Sequence, residues 1–116
     1  MNFEAIQHIP MSQQAHGIDP NHVVFRLRAG RDDLKHCTLF YADRACRLTP
    51  VIFSSVEMQV EAQDEWFDYF QVILGSPYKR ICYYFELDDG TQKLLYYGDF
   101  FTDHRVDDRS EYYQLP

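Results

Sequence analysis

From His22 onward apolar residues fall on every second position: Val23, Phe25, Leu27 and Ala29 alternate with Val24, Arg26 and Arg28. Successive side chains of an extended chain point to opposite sides, so a repeat of two predicts a strand with one buried face. Gly30-Arg31-Asp32-Asp33 then supplies turn residues. A second strand is predicted over His36 to Ala42, with Cys37, Leu39 and Tyr41 on one face and Thr38 and Phe40 on the other; Asp43 and Arg44 end it. Residues 45–64 carry weaker signals. Val51-Ile52-Phe53 is β-prone, and Val56, Met58 and Val60 alternate with Glu57, Gln59 and Glu61, so one strand and a long exposed loop are expected there. A helix over Ser54 to Asp68 is the competing reading, disfavoured by its β-branched and aromatic residues. Trp66 to Leu74 is apolar on both faces, the pattern of a strand covered twice.

Gly75-Ser76-Pro77 marks a turn, after which Ile81, Tyr83, Phe85 and Leu87 alternate with Cys82, Tyr84 and Glu86. Asp89-Gly90 is a hairpin signal that returns the chain into Lys93 to Tyr97. Phe100-Phe101 and Tyr112-Tyr113 supply the last short strands. Strands with turns at intervals of roughly 8–12 residues and no helical period predict an all-β, antiparallel, two-sheet sandwich. Its expected core includes Phe25, Leu27, Leu39, Phe70, Tyr83, Phe85 and Leu87.

The length of 116 residues suits a single domain over 1–116, and a chain 46% hydrophobic and 25% charged is that of an ordinary globular protein. Aromatic content changes the picture. Nine Tyr, nine Phe and one Trp exceed what one core of this size needs, and Trp66-Phe67, Tyr83-Tyr84 and Phe100-Phe101 put rings on both faces of their strands. Either twist and loops cover the second set, or an outer face docks protein or stacks sugar.

Eleven basic against eighteen acidic residues give a net charge of −7, which repels a phosphate backbone, so nucleic acid is not an expected partner. No apolar stretch is long enough to span a bilayer, and Met1-Asn2-Phe3-Glu4 lacks the basic start of a signal peptide. No membrane association is expected, and the expected location is cytoplasmic. Cys37, Cys46 and Cys82 are odd in number without short paired spacing, so free thiols are expected rather than disulfides or a zinc site, with Cys37 and Cys82 in or beside strands. The chain has no Gly-rich phosphate loop, no nucleophile elbow and no His-Glu-x-x-His pair. Glu65 and Asp68 fall on opposite faces of a strand, Asp88-Asp89 and Asp107-Asp108 sit in turns, and the five histidines share no ligand spacing. No catalytic residue, metal or cofactor is therefore expected.

Several runs resemble the N-terminal domain of neopullulanases, cyclomaltodextrinases and maltogenic amylases, which is classed among carbohydrate-binding modules. Phe3-Glu4-Ala5-Ile6-Gln7-His8-Ile9-Pro10 is similar to that family's start, and Phe25-Arg26-Leu27-Arg28-Ala29 to its Arg-rich second strand. In the same order, Leu39-Phe40-Tyr41-Ala42-Asp43-Arg44 is similar to a strand and loop that reach toward the neighbouring subunit, and Asp64-Glu65-Trp66-Phe67-Asp68-Tyr69-Phe70 to the family's most recognisable run. Tyr78-Lys79-Arg80-Ile81-Cys82-Tyr83-Tyr84-Phe85-Glu86-Leu87 resembles the hairpin strand that follows.

The resemblance covers the whole chain and implies an immunoglobulin-like sandwich. It further implies a parent enzyme that hydrolyses α-glucosidic bonds in cyclodextrins, pullulan or starch oligomers, with its acids on a catalytic (β/α)₈ barrel outside this chain. It implies a homodimer in which this domain covers and narrows the partner's cleft, with Tyr41, Asp43 and Arg44 at the rim, near α-glucan oligosaccharides or cyclodextrins. Ala45 stands where family members often carry an aromatic residue. A methyl group offers no stacking face, which leaves sugar contact there to Tyr41 or to a ring from residues 46–64. The alternative role is an independent glycan-binding module.

Overall fold

The computed structural model describes residues 1–9, 14–19, 21–43, 53–75, 81–97, 100–103 and 113–115; Asp43 and residues 113–115 are described by backbone alone. A short 3₁₀ turn at Phe3–Ala5 precedes nine strands: β1 Ala15–Asp19, β2 His22–Gly30, β3 His36–Asp43, β4 Ser54–Gln63, β5 Phe67–Gly75, β6 Ile81–Asp88, β7 Lys93–Tyr97, β8 Phe100–Thr102 and β9 Tyr113–Leu115. Every pairing is antiparallel, and the strands follow the order β1-β2-β5-β4-β3-β6-β7-β8, with β9 beside β6. Curling of this sheet lays β1, β2 and β5 over β3, β6 and β7. The shortest dimension, 19 Å, is that of two layers whose facing sheets lie about 10 Å apart.

The expected all-β sandwich forms, and its core is the one the period of two marks out. Phe25, Leu27, Leu39, Phe70, Tyr83, Phe85 and Leu87 are all buried. Opposite layers meet at rings: Phe25 of β2 touches Tyr83 of β6 edge to face, with centroids 4.8 Å apart. Cys37 and Cys82 are buried free thiols, and burial pushes the Cys37 thiol far above its ordinary range, where it packs against the Met58 sulfur at 3.6 Å.

The strand expected within residues 45–64 forms over Ser54–Gln63, its alternating apolar positions pairing with β3 at Val56 and Met58 before the strand passes on to β5. One expectation needs correction. The 66–74 segment is not covered twice: Trp66, just before β5, is 70% exposed and Ile73 53%, and the outer face of β5, where Gln71 pairs with Arg26 of β2, is crossed by no described strand. β1 and the 3₁₀ turn have no clear apolar period, and they form because the free edge of β2 needs partners for its backbone. That edge is continued by Gln7, which exchanges backbone hydrogen bonds with Arg28 at 2.9 and 3.0 Å, and by the Gln14 carbonyl, which accepts from the Arg26 amide.

The hairpin signalled by Asp89-Gly90 forms between β6 and β7, with Asp88 and Lys93 as its closing pair and a four-residue loop. The Asp89 carboxylate organises it by accepting from the backbone amides of Thr91 and Gln92 at 2.9 and 2.8 Å, and these bonds hold its pKa far below the usual carboxylate range. Gly90 has φ +93°, and a Cβ placed there would lie 3.3 Å from Lys35 Cγ. Gly90→Ala is expected to destabilise the domain by about 1 kcal/mol, through left-handed strain more than through the flexible lysine, as a lowered urea midpoint with unchanged slope.

Candidate functional site

The anticipated contact loop begins where β3 ends. Tyr41 pairs with Tyr83 of β6 and Ser54 of β4, and its half-buried side chain packs on the main core. Alternation puts it on the same face as Cys37 and Leu39, so Tyr41 contributes to the inner layer near the sandwich end. Asp43 closes the strand opposite Ile81. Arg44, Ala45 and Cys46 lie outside the described residues.

Most of the aromatic excess resolves into two sets, with Trp66, Phe67 and Tyr69 apart from both. Inward rings build the core, and a second set forms a run across the outer face of β3, β6, β7 and β8. Phe40 stacks on Tyr84 with centroids 5.0 Å apart and planes 1° from parallel; Tyr84 stacks on Tyr97 at 4.5 Å and 18°, and Tyr97 on Phe100 at 5.9 Å and 16°. Phe53 meets the Tyr84 ring edge-on at 5.0 Å. Tyr84 and Tyr97 are 5% and 0% exposed, so the rings spend their faces on one another and this run is no open sugar platform. Phe40, Phe53 and Phe100 are half-buried around them.

Sequence reasoning missed the opposite outer face. Arg26 and Arg28 of β2 stand in register with Gln71 and Tyr69 of β5, four side chains that alternation turns away from the core. Arg26, Arg28 and Tyr69 line a cleft of about 480 Å³ together with Gln7, Ile9, Gln14 and Leu27, and a neighbouring hollow of about 250 Å³ shares Arg26 and Tyr69 with it and adds Glu61, Ala62, Phe70 and Gln71. Arg26 Nε donates to Gln71 Oε1 at 2.7 Å, Arg28 Nε donates to the Ala5 carbonyl at 3.0 Å, and the Arg28 guanidinium lies 4.2 Å over the Phe67 ring. Tyr69 Oη donates to Asp64 Oδ2 at 2.6 Å, and that bond is the chief cause holding the Asp64 carboxyl below its ordinary range. The available signal was the polar side of the β2 alternation, which sets two arginines among apolar neighbours.

The remaining polar groups have structural duties. Asp68 is buried and accepts from the Asp32 amide and from Gln63 Nε2, at 2.9 and 2.6 Å. His8 is buried, with Nδ1 2.6 Å from the Arg26 carbonyl and Nε2 2.7 Å from Tyr83 Oη. A carbonyl only accepts, so Nδ1 carries the proton and the Tyr83 hydroxyl donates to Nε2. Among the described residues no three His, Cys, Asp or Glu side chains group as a metal site would require.

Comparison with known proteins relates this architecture to α-glucan enzymes. The chain is 31% identical over 99 residues to neopullulanase 2 of Thermoactinomyces vulgaris, covering 85% of this chain and 17% of that protein. It is 29% identical over 115 residues to a maltogenic alpha-amylase of Bacillus acidopullulyticus, covering 97% of this chain and 20% of that one. A solved cyclomaltodextrinase structure superposes on the whole chain with a TM-score of 0.90 at 25% identity, using 20% of its own length. The chain thus spans about a fifth of the relatives that it matches. The family model described as "Alpha amylase, N-terminal ig-like domain" matches residues 1–116, and the chain belongs to that family.

Proposed function

We propose that this chain is the non-catalytic N-terminal domain of an α-glucan hydrolase of the neopullulanase, cyclomaltodextrinase or maltogenic amylase type, and that it joins two subunits and shapes the partner's active-site cleft. One observation carries the reading: a family match over the full 116 residues that accounts for only 17–20% of proteins bearing those names. In such a protein the cleavage chemistry belongs to the remaining four-fifths, on a barrel against which this domain rests. The acids weighed as a catalytic pair favour the same division. Asp68 is committed to two hydrogen bonds inside the domain, and Glu65 is a solvent-exposed residue of the β4–β5 turn.

Asp43 and Arg44, following the inward-packed Tyr41, would then stand at the rim facing the partner's cleft, where loops at a sandwich end are free to make contacts and a guanidinium is well suited to an interface. Sugar handled there is an α-glucan oligosaccharide or cyclodextrin, contacted weakly because Ala45 supplies no ring. The test uses the full-length enzyme. Arg44→Ala is expected to weaken the dimer by about tenfold in sedimentation velocity, the size of one well-placed interface arginine. Ala45→Tyr is expected to change the ratio of cyclodextrin to pullulan hydrolysis. If both variants keep the parent's dimer constant and substrate ratio, the loop is a surface turn and the cleft-facing role is wrong.

A further inference from the structure

We propose that Asp89-Gly90, in the β6–β7 loop, is a latent site of covalent modification at which aspartate converts to isoaspartate, and that the bonds made by the Asp89 carboxylate latch this site shut in the folded domain.

The chemistry is inherent in the pair, which is the only Asp-Gly in the chain. The backbone nitrogen of Gly90 attacks Cγ of Asp89, so that an N–Cγ bond forms as a Cγ–O bond breaks. The departing hydroxyl takes up the proton of the nitrogen and leaves as water, and the product is a cyclic succinimide. Water then adds back at one of the two ring carbonyls. Breaking the N–Cγ bond restores aspartate. Breaking instead the bond from the nitrogen to the main-chain carbonyl of Asp89 leaves the backbone running through Cβ and Cγ, which is isoaspartate. One water is lost and one regained, so no other reactant is needed. Glycine favours ring closure because no Cβ crowds the attacking nitrogen.

In the fold both reacting groups are engaged elsewhere. Asp89 Oδ1 accepts from the Thr91 and Gln92 amides and, at 3.1 Å, from the Thr91 hydroxyl, and Oδ2 lies 3.0 Å from the Met1 ammonium. Bringing Cγ onto the Gly90 nitrogen requires these contacts to be given up. The Gly90 N–H is itself donated to Asp88 Oδ1 at 2.8 Å. The loop is also tied down along its backbone, where the Asp89 amide donates to the Gln92 carbonyl at 3.2 Å and the Lys35 amide to the Asp88 carbonyl at 2.7 Å. The bonds to the carboxylate, that from the Gln92 amide foremost, keep it ionised far below its ordinary range, and an ionised carboxylate has no hydroxyl to lose.

Isoaspartate lengthens the main chain by one carbon, so its carboxylate no longer meets the same amides and the latch does not close again. The modification persists as a record that the loop has opened. Thr91 is the positioning residue of the latch, because it contributes both an amide and a hydroxyl to the same oxygen.

The experiment incubates the 116-residue chain at pH 6 in ¹⁸O-labelled water, with and without denaturing guanidinium chloride, and then digests it with trypsin in ordinary water. Heavy oxygen gained by the peptide 81–93 reports ring opening, fragmentation assigns it to Asp88 or Asp89, and chromatography separates the isoaspartyl form. Labelling of Asp89 is expected to be at least about thirtyfold faster in denaturant than in the fold, because an unlatched aspartate is protonated far more often. Thr91→Ala, which removes the hydroxyl bond, should speed labelling of the folded chain about fivefold, and Thr91→Ser, which keeps it, should not. Leu27→Val loosens the buried core in the opposite layer and should leave the folded rate within about twofold, because the loop opens locally. Dispersed amide spectra report that each variant is folded. Equal rates in the fold and in denaturant would overturn the latch, and absence of label at Asp89 in denaturant would overturn the site. A folded rate that rises with Leu27→Val and ignores Thr91→Ala would overturn local guarding and assign the modification to the globally unfolded chain.

Discussion

Phe85→Ala is expected to destabilise the domain by about 4 kcal/mol, the usual cost of emptying a phenylalanine site in a packed core. Phe85 is fully buried at the middle of β6, with the His8 ring at 4.7 Å, Tyr83 at 5.8 Å and Tyr96 at 6.5 Å. Its neighbours are held by strand hydrogen bonds on both sides, to β3 and to β7, so they cannot close over the void. Total stability of such a domain is about 5–15 kcal/mol, and the loss is therefore a large part of it. In urea the midpoint should fall by about 2 M. A shift below about 0.5 M would show that the core tolerates the void and that Phe85 is not its central clamp.

The second large effect is a loss of stability in mild acid, set by His8. Burial, only partly offset by the hydrogen bond to the Arg26 carbonyl, lowers its pKa to about 4 from an ordinary 6.5. The imidazole is thus neutral in the fold at pH 5, while the same residue in the unfolded chain is largely protonated. The unfolded state binds more protons between these two values, so stability is full above about pH 6.5, declines as pH falls from 6.5 toward 4, and is flat with respect to this group below 4. At 1.36 kcal/mol per unit the decline amounts to about 3 kcal/mol. Protonation would force a second N–H against the Tyr83 hydroxyl, which now donates to that nitrogen. His8→Asn, which can still donate to the Arg26 carbonyl, should be less stable at neutral pH and lack the decline between pH 6.5 and 4. Parallel pH profiles for the two proteins, measured by denaturant unfolding, would refute the role of His8.

How far the sequence disclosed this molecule depends on whether burial follows the period of the strand. In much of β2 and β3 it does, and alternation named their inner faces; in β6 it named Ile81, Tyr83, Phe85 and Leu87, but Cys82 and Tyr84 on the other face are buried as well. It does not in the pieces that exist to satisfy backbone. β1 and the Gln7 bridge cap the edge of β2, and nothing in Ala15-His16-Gly17-Ile18-Asp19 advertises that duty. Trp66 misleads for a different reason. Its run of apolar neighbours suggests cover, but the tip of the β4–β5 hairpin is fixed by Asp64, which accepts from the amides of Trp66 and Phe67, and the indole is left outside. The cleft at Tyr69 was illegible because it is built from four segments distant in sequence. Its arginines read as ordinary solvent-facing positions until the register with β5 aligns them. His8 likewise carries no spacing signal, since its partners Arg26 and Tyr83 are 18 and 75 positions away.

β4 carries a consequence for how errors in folding are rejected. Its first half, through Met58, pairs with β3, and its second half, from Gln59, pairs with β5, with an irregularity between Val60 and Ala62. One strand therefore sets the alignment of both layers. A slip by a single residue along β3 would carry Met58 out of the core and at the same time shift every partner offered to β5, so the mistake is penalised twice. Neither layer can settle into a near-miss pairing while the other is correct. The domain behaves in this respect like a zip whose two tapes share a slider, and it is expected to unfold in one step, with strand-edge and core probes losing their signals together.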